Sequence, residues 1–288
     1  MFRSSSRTLL KSCAGCSRRH YSTPHPSLTI LPDFLSLPEQ SLLLSQSLAL
    51  LDSPSRTTSA GRKKRKSWLK SNPQYEVDKN GFMHDDAYEF EQGHFDGVIR
   101  GYREMLVRQG QFDATLKDDS RRTELERILS RVYSLLPPSS ATNDESPSVS
   151  PLDPPPHLIM HLLHLSSTGR IFPHVDNLEA FGRTIVGVSL GGGERVMKFK
   201  QTSEPTEKVE GPEEFEVLIP SGSAYIQQEP LRTHYTHEVL DQATWEDRVV
   251  GGTQRLSIML RTLRNDRRSL SRKARIVVSA AQEEKCAN

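Results

Sequence analysis

From residue 157 onward the chain changes rhythm. Eight short runs, at 157–165, 171–176, 184–190, 195–200, 214–219, 224–228, 235–240 and 255–263, are separated by Gly, Pro and Ser signals. Runs of this length between turn residues read as strands. Eight of them, following two or three helices, predict an α+β protein. Its core is expected to be a double-stranded β-helix, or jelly roll, with the helices flanking it on the N-terminal side.

The region ahead of the strands carries the helices. Ser36-Leu-Pro-Glu39 is a capping box, in which a hydroxyl and a carboxylate satisfy the first free N–H groups of a helix. The helix continues through Leu42, Leu43, Leu44, Leu48 and Leu51 and ends near Asp52-Ser-Pro54. A second one is expected over 121–136, with Leu125, Ile128, Leu129 and Val132 on one stripe and Pro137-Pro138 as its stop. Residues 55–80 read as loop. The Ser/Pro-rich stretch 137–156 cannot supply core. The expected organisation is a leader at 1–21, a helical region with a basic linker at 22–136, and a flexible loop at 137–156. The strand core follows at 157–263, with a basic tail at 264–288. At 288 residues and 35% hydrophobic content, the chain can bury one good core. No apolar run approaches the ~18 residues of a membrane-spanning helix, so no span is expected.

Residues 1–32 contain no acid, while Arg3, Arg7, Lys11, Arg18 and Arg19 stand among serines. That is the composition of a mitochondrial transit peptide, and Arg19-His-Tyr21 resembles a processing site ahead of Ser22. The expected location is the mitochondrial matrix. Cys13 and Cys16 fall inside this leader, which leaves Cys286 alone and no internal disulfide. The whole chain carries +2; without the five basic residues of the leader it has 33 basic against 36 acidic groups. This is no uniformly basic nucleic-acid binder. The remaining positive charge is clustered in Arg62-Lys-Lys-Arg-Lys66 and in the tail.

The residues that suggest chemistry lie in the strands. His174 and Asp176, two apart in an extended run, leave the backbone on one side. His237 lies 63 residues later in another short run. Two histidines and one carboxylate make the facial set of non-haem Fe(II) oxygenases. In Arg255-Leu-Ser-Ile-Met-Leu-Arg261, alternation places Arg255, Ser257, Met259 and Arg261 on one face. The two arginines are about 20 Å apart along the strand, at roughly 3.3 Å per residue. Their long forked side chains can converge on a small dicarboxylate. His161 and His164, three apart, point to opposite faces and are expected to be packed or hydrogen-bonded rather than ligating.

The set His174-x-Asp176, His237 and Arg255-x5-Arg261 resembles the signature of AlkB-type Fe(II)- and 2-oxoglutarate-dependent dioxygenases. Tyr88-Glu-Phe, His94-Phe-Asp, Gly101-Tyr-Arg-Glu and Pro220-Ser-Gly-Ser-Ala-Tyr225 are similar to segments of that family's mitochondrial member. The likeness covers roughly residues 84–263. It implies Fe(II) held by His174, Asp176 and His237, with 2-oxoglutarate and O2 as co-substrates and oxidation of a C–H bond as the reaction. It implies Arg255 on the distal C5 carboxylate, Arg261 nearer the C1 carboxylate, and Tyr225 as a further cofactor contact. Ser257, between the arginines, joins them as a candidate contact. Leu163 and Leu165 stand where other members place polar cofactor contacts, which makes this pocket more apolar. The resemblance leaves a protein or a mitochondrial RNA as substrate and implies a role in fatty-acid metabolism or programmed necrosis. A monomer is expected. Two other readings stay open: a cupin metal enzyme without oxoglutarate, and a non-catalytic or regulatory mitochondrial protein that keeps a metal-binding jelly roll.

Overall fold

The computed structural model describes residues 23–53, 57–78, 81–116, 118–136, 150–177, 181–202 and 209–263. The leader with Cys13 and Cys16, residues 137–149 of the Ser/Pro loop, and the tail with Cys286 lie outside the described residues. In chain order the strands are β1 (Leu28–Leu31), β2 (Ile99–Val107), β3 (Leu158–His174), β4 (Phe181–Leu190), β5 (Arg195–Gln201), β6 (Glu214–Ile219), β7 (Ala224–Gln228), β8 (Tyr235–Val239), β9 (Gln242–Trp245), β10 (Arg248–Gly251) and β11 (Arg255–Leu263). The helices are α1 (Leu37–Leu51), α2 (Ser59–Ser71), α3 (Gln111–Thr115), α4 (Asp119–Tyr133) and the single turn α5 (Leu231–His234).

All strand pairs are antiparallel. The sheet runs β1-β7-β4-β11-β3-β8-β5-β6, with β2 also on β3. The spine is β3, because it belongs to both halves of the roll. Its first part pairs with β11 (Leu165 opposite Arg255), and its second part pairs with β8 (His174 opposite His237). Between them the chain must bend, and β2 slips register beside it between Arg100 and Tyr102. Gly101 and Gly169 meet at that bend. A Cβ on Gly169 would stand 2.5 Å from the Gly101 carbonyl oxygen, so only glycine lets the two backbones touch.

Two apolar layers follow from the alternation of side chains. Leu256, Ile258 and Leu260 of β11, with Leu158, Met160 and Leu162 of β3, pack outward against Leu43, Leu44 and Leu48 of α1 and Leu125, Ile128, Leu129 and Val132 of α4. Leu163 and Leu165 point inward, where Met197, Phe199, Phe215 and Tyr235 close the roll. α1 has the expected capping box: Glu39 accepts the Ser36 N–H at 2.8 Å and its hydroxyl at 2.9 Å. A short ion pair between Glu39 and Arg131 ties α1 to α4.

The structure departs from the sequence reading in four places. Residues 59–71, expected as loop, form α2: the Thr58 hydroxyl caps it by accepting from Gly61 N at 2.9 Å. What holds α2 is tertiary, with Lys64 Nζ donating to the Tyr88 carbonyl at 3.1 Å, Arg65 paired with Asp52, and Trp68 edge-on to Tyr75. The runs at 157–165 and 171–176 are one strand, which ends at His174 and not at Asp176. The core is not confined to 157–263, since β1 and β2 join the main sheet. The β9–β10 hairpin was not expected; it turns through Glu246 and Asp247, both at positive φ, instead of the Asn-Gly that announces such turns.

Candidate active site

One end of the roll brings His174, Asp176 and His237 together, each offering a ligand atom within 4.8 Å of the others. Register does most of this. His174 and His237 are cross-strand partners, and their rings lie 4.3 Å apart between centroids. Asp176, two residues past the end of β3, turns its carboxylate back so that Oδ2 stands 3.8 Å from His237 Nε2. Arg261, from the middle of the sheet, donates Nη2 to Asp176 Oδ1 at 3.1 Å. His174 Nδ1 lies 2.9 Å from its neighbour's carbonyl, Phe172 O. A carbonyl only accepts, so that nitrogen carries a hydrogen, which leaves Nε2 as the ring atom able to ligate a metal.

The charges are tuned by burial and by each other. Burial pushes the Asp176 carboxyl up, but His237, Arg261, His174 and Arg232 outweigh it and hold the group below its ordinary range. Burial lowers His237 to about 4, against the raising effect of Asp176, so its imidazole is neutral at pH 7. A neutral imidazole and an ionised carboxylate are the forms that bind a metal. The three residues therefore fit a divalent cation of the Fe(II) or Zn(II) type.

The inner face of β11 adjoins these three residues through Arg261. Arg255 is 1% exposed and donates Nε to Ser189 Oγ at 3.0 Å. Burial lowers its pKa, and the Tyr225 hydroxyl partly offsets this by hydrogen bonding. Arg255 Nη2, Ser257 Oγ and Arg261 Nε are buried without a hydrogen-bond partner. Three orphaned polar atoms on one face of one strand are unusual, because buried polar groups are nearly always paired. An anion with two carboxylates answers that geometry. Leu163 and Leu165 face Ser257 and Arg255 across the β3–β11 pair and make this wall apolar. All seven residues picked from sequence thus line the inner side of one roll: His174, Asp176, His237, Tyr225, Arg255, Ser257 and Arg261. The side chains of His161 and His164 are packed or bonded, as expected. His161 Nε2 meets Glu104 at 2.9 Å on the inner side, and His164 is sealed against Phe82 on the outer.

Several residues that shape the site were not legible. Arg232, 2% exposed, donates to the backbone carbonyls of Asn177, at 3.3 Å, and Gly182, which staples the loop after Asp176 to the turn before His237. Arg195, 1% exposed, donates to Leu240, Asp241 and Thr253 carbonyls where β8 and β11 approach, and burial lowers it to about 10. Both partner only backbone, so no spacing of side chains could have marked them. Gly187 carries a signal that was missed. A Cβ there would fall 2.1 Å from the Tyr225 ring, so the glycine in mid-strand is what lets Tyr225 lie across β4 toward Arg255.

Comparison with known proteins fits this geometry. The description "2OG-Fe(II) oxygenase superfamily" matches residues 27–261, well over half of the chain. The mitochondrial alpha-ketoglutarate-dependent dioxygenase alkB homolog 7 of Mus musculus is 30% identical over 177 residues, as is that of Bos taurus. Each alignment covers 60% of this chain and 66% of the relative, just under two thirds of its length. Among solved structures, OsALKBH1 aligns at a TM-score of 0.43 and 14% identity over 85% of this chain and 100% of that one. A Pseudomonas putida prolyl-4-hydroxylase aligns at 0.40 and 12% over 83% and 93%. Likeness at that level carries no weight beside the strand register itself. The family match starts one residue before β1 and ends on Arg261, so it takes in β1 to β10 and β11 from Arg255 through Arg261: this chain belongs to the 2OG-Fe(II) oxygenase superfamily.

Proposed function

We propose that the chain is an AlkB-type dioxygenase of mitochondria that uses Fe(II), 2-oxoglutarate and O2 to oxidise a C–H bond of a protein, by hydroxylation or oxidative demethylation. One observation carries the reading: a two-histidine, one-carboxylate set stands on the inner side of the same roll as a buried arginine whose Nη2 has no hydrogen-bond partner. In this reading His174 Nε2, Asp176 and His237 hold the iron. Arg255 receives the distal carboxylate of oxoglutarate, with Tyr225 and Ser257 beside it. Arg261 keeps Asp176 ionised and stands next to the metal-side carboxylate. Bound together, Fe(II) and 2-oxoglutarate supply oxidation, the oxo acid becoming succinate and CO2 as one oxygen atom enters the substrate. The protein's own part is to fix two carboxylates, hold Asp176 anionic, and exclude water with Leu163 and Leu165.

Charge at the cavity mouth supports a protein over a nucleic acid. Glu104 lies on the inner face of β2, paired with His161. Burial opposes ionisation of Asp96, but the Val98 N–H, His94 and His174 keep its carboxyl low, so a second anion stands close to His174. Of the two arginines of β2, Arg103 is turned to the outer side against His164, and Arg100 stands opposite Arg170 of β3. Phosphates approaching here meet carboxylates where base-oxidising sites need cations. The mitochondrial names of both relatives and the acid-free leader support the location, with the matrix as the compartment. Fe(II)-loaded chain should convert 2-oxoglutarate to succinate, faster when a mitochondrial protein fraction is added than when RNA is. No succinate with either fraction would leave a metal-binding protein without turnover.

A further inference from the structure

We propose that the outer face of α2 is a docking surface for an anionic lipid bilayer, seating the folded chain against a membrane without crossing it. The helix carries Arg62, Lys63, Lys64, Arg65, Lys66 and Lys70 and no acidic residue. It divides these cations between two sides. Arg65 and Lys64 turn to the body and bond Asp52 and the Tyr88 carbonyl. Lys63, Lys66 and Lys70 stand at i, i+3 and i+7, on one exposed stripe, and have no hydrogen bond or ion pair among the described residues. Like charges at helical spacing repel, and nothing in the helix offsets them, so an anionic plane set against the stripe relieves that cost.

The neighbouring apolar side chains select a bilayer from among polyanions. Leu69 is 42% exposed beside the stripe, and Tyr75 (36%) and Val77 (58%) follow just beyond the helix. Three of the seven exposed large hydrophobics among the described residues therefore fall within 69–77. Lysines bordered by exposed apolar groups suit the headgroup–acyl boundary, where charge meets phosphate and the apolar group meets hydrocarbon. A nucleic-acid surface offers instead an aromatic face for stacking and arginine forks. Here the half-buried Trp68 is engaged edge-on by Tyr75 and flat against His84, and the cations of the exposed stripe are lysines. No helix of the described residues is long and apolar enough to span, which fits a chain that lies on a surface.

Flotation of the full chain with vesicles tests this. The chain should rise with phosphatidylcholine vesicles containing phosphatidylglycerol and stay down with pure phosphatidylcholine, and salt should weaken the binding. Substituting Lys63→Glu, Lys66→Glu and Lys70→Glu together should lower binding by at least about tenfold, since each lysine at an anionic surface is worth roughly fivefold. A charge-matched set on other exposed positions, Arg100→Glu, Arg108→Glu and Arg121→Glu, should bind as the unaltered chain does. Leu69→Ser should weaken vesicle binding a further few-fold at every salt concentration. All positions are exposed, and should the glutamates disturb the helix, the Lys→Gln triple gives the same comparison. Undiminished binding by the Lys triples, equal loss in the arginine set, or a single-stranded RNA that displaces the vesicles would each overturn the proposal.

Discussion

The two faces of β11 teach opposite lessons. On the outer face Leu256, Ile258 and Leu260 are wholly buried in the apolar layer that α1 and α4 cover. On the inner face Arg255, Ser257 and Arg261 are also withdrawn from solvent, but each leaves a polar atom unpartnered. One face is finished as folded; the other is complementary to something charged. Stability and chemistry are thus separated by a single peptide unit, and substitutions one residue apart should act on different properties.

The largest effect expected is on the inner side. His237→Ala should weaken Fe(II) binding by more than about a hundredfold, since even outer partners of metal ligands are worth ten to a hundredfold. His234→Ala should keep its iron, because that ring is spent on Thr233 and the Pro230 carbonyl. Iron content after desalting decides it, and the reverse pattern would break the assignment of His237 to the site.

Next, Arg255→Lys should weaken 2-oxoglutarate binding by about a hundredfold while leaving iron content unchanged. Losing a buried charge partner costs roughly 3–5 kcal/mol, of which the retained Lys charge restores part. Titrating oxoglutarate into the Fe(II)-loaded variant checks it; unaltered affinity would make the arginine a structural cation like Arg195.

The outer face sharpens the contrast through pH. His164 sits there fully enclosed, beside the Arg103 guanidinium, and burial followed by that charge drives its pKa well below 6.5. Below pH 6.5 the unfolded chain therefore binds a proton that the folded chain refuses, and stability falls as pH falls. The slope is about 1.4 kcal/mol per pH unit from this group. Denaturant unfolding at neutral and mildly acidic pH should show a slope at least that steep in the parent, because the lowered His237 adds to it, and a slope shallower by about that amount in His164→Gln. The smallest effect belongs to Ile258→Val, about 0.5–1.5 kcal/mol of stability with oxoglutarate affinity of the folded protein unchanged.

The legible part of the molecule was what repeats. The alternation of β11, the capping box of α1 and the stripe of α4 are periodic, and each was readable from residue types alone. The inner residues were readable for the same reason, since parity along a strand decides which side chains share a cavity. What escaped depended on partners far away in sequence. The basic run 62–66 resembles a solvated linker until Asp52, Tyr88 and Trp68 are seen holding it as a helix. β2 reads as part of a helical region because its pairing with β3 is remote. Arg195 and Arg232 bond backbone carbonyls, which no sequence pattern advertises.

The place of β11 in the sheet has a consequence for how the molecule comes to exist. Among the described residues it is the last strand, yet it lies in the interior of the sheet, between β4 and β3. A ribosome or an import pore, both delivering the N-terminus first, hands over every other strand before the one that joins them. Until residue 263 emerges, β3 and β4 present unsatisfied edges to the surroundings, and neither the helix-packed layer nor the cavity can form. Closure of the roll is therefore deferred until β11 has been delivered, and the interval before it is when this chain most needs a chaperone.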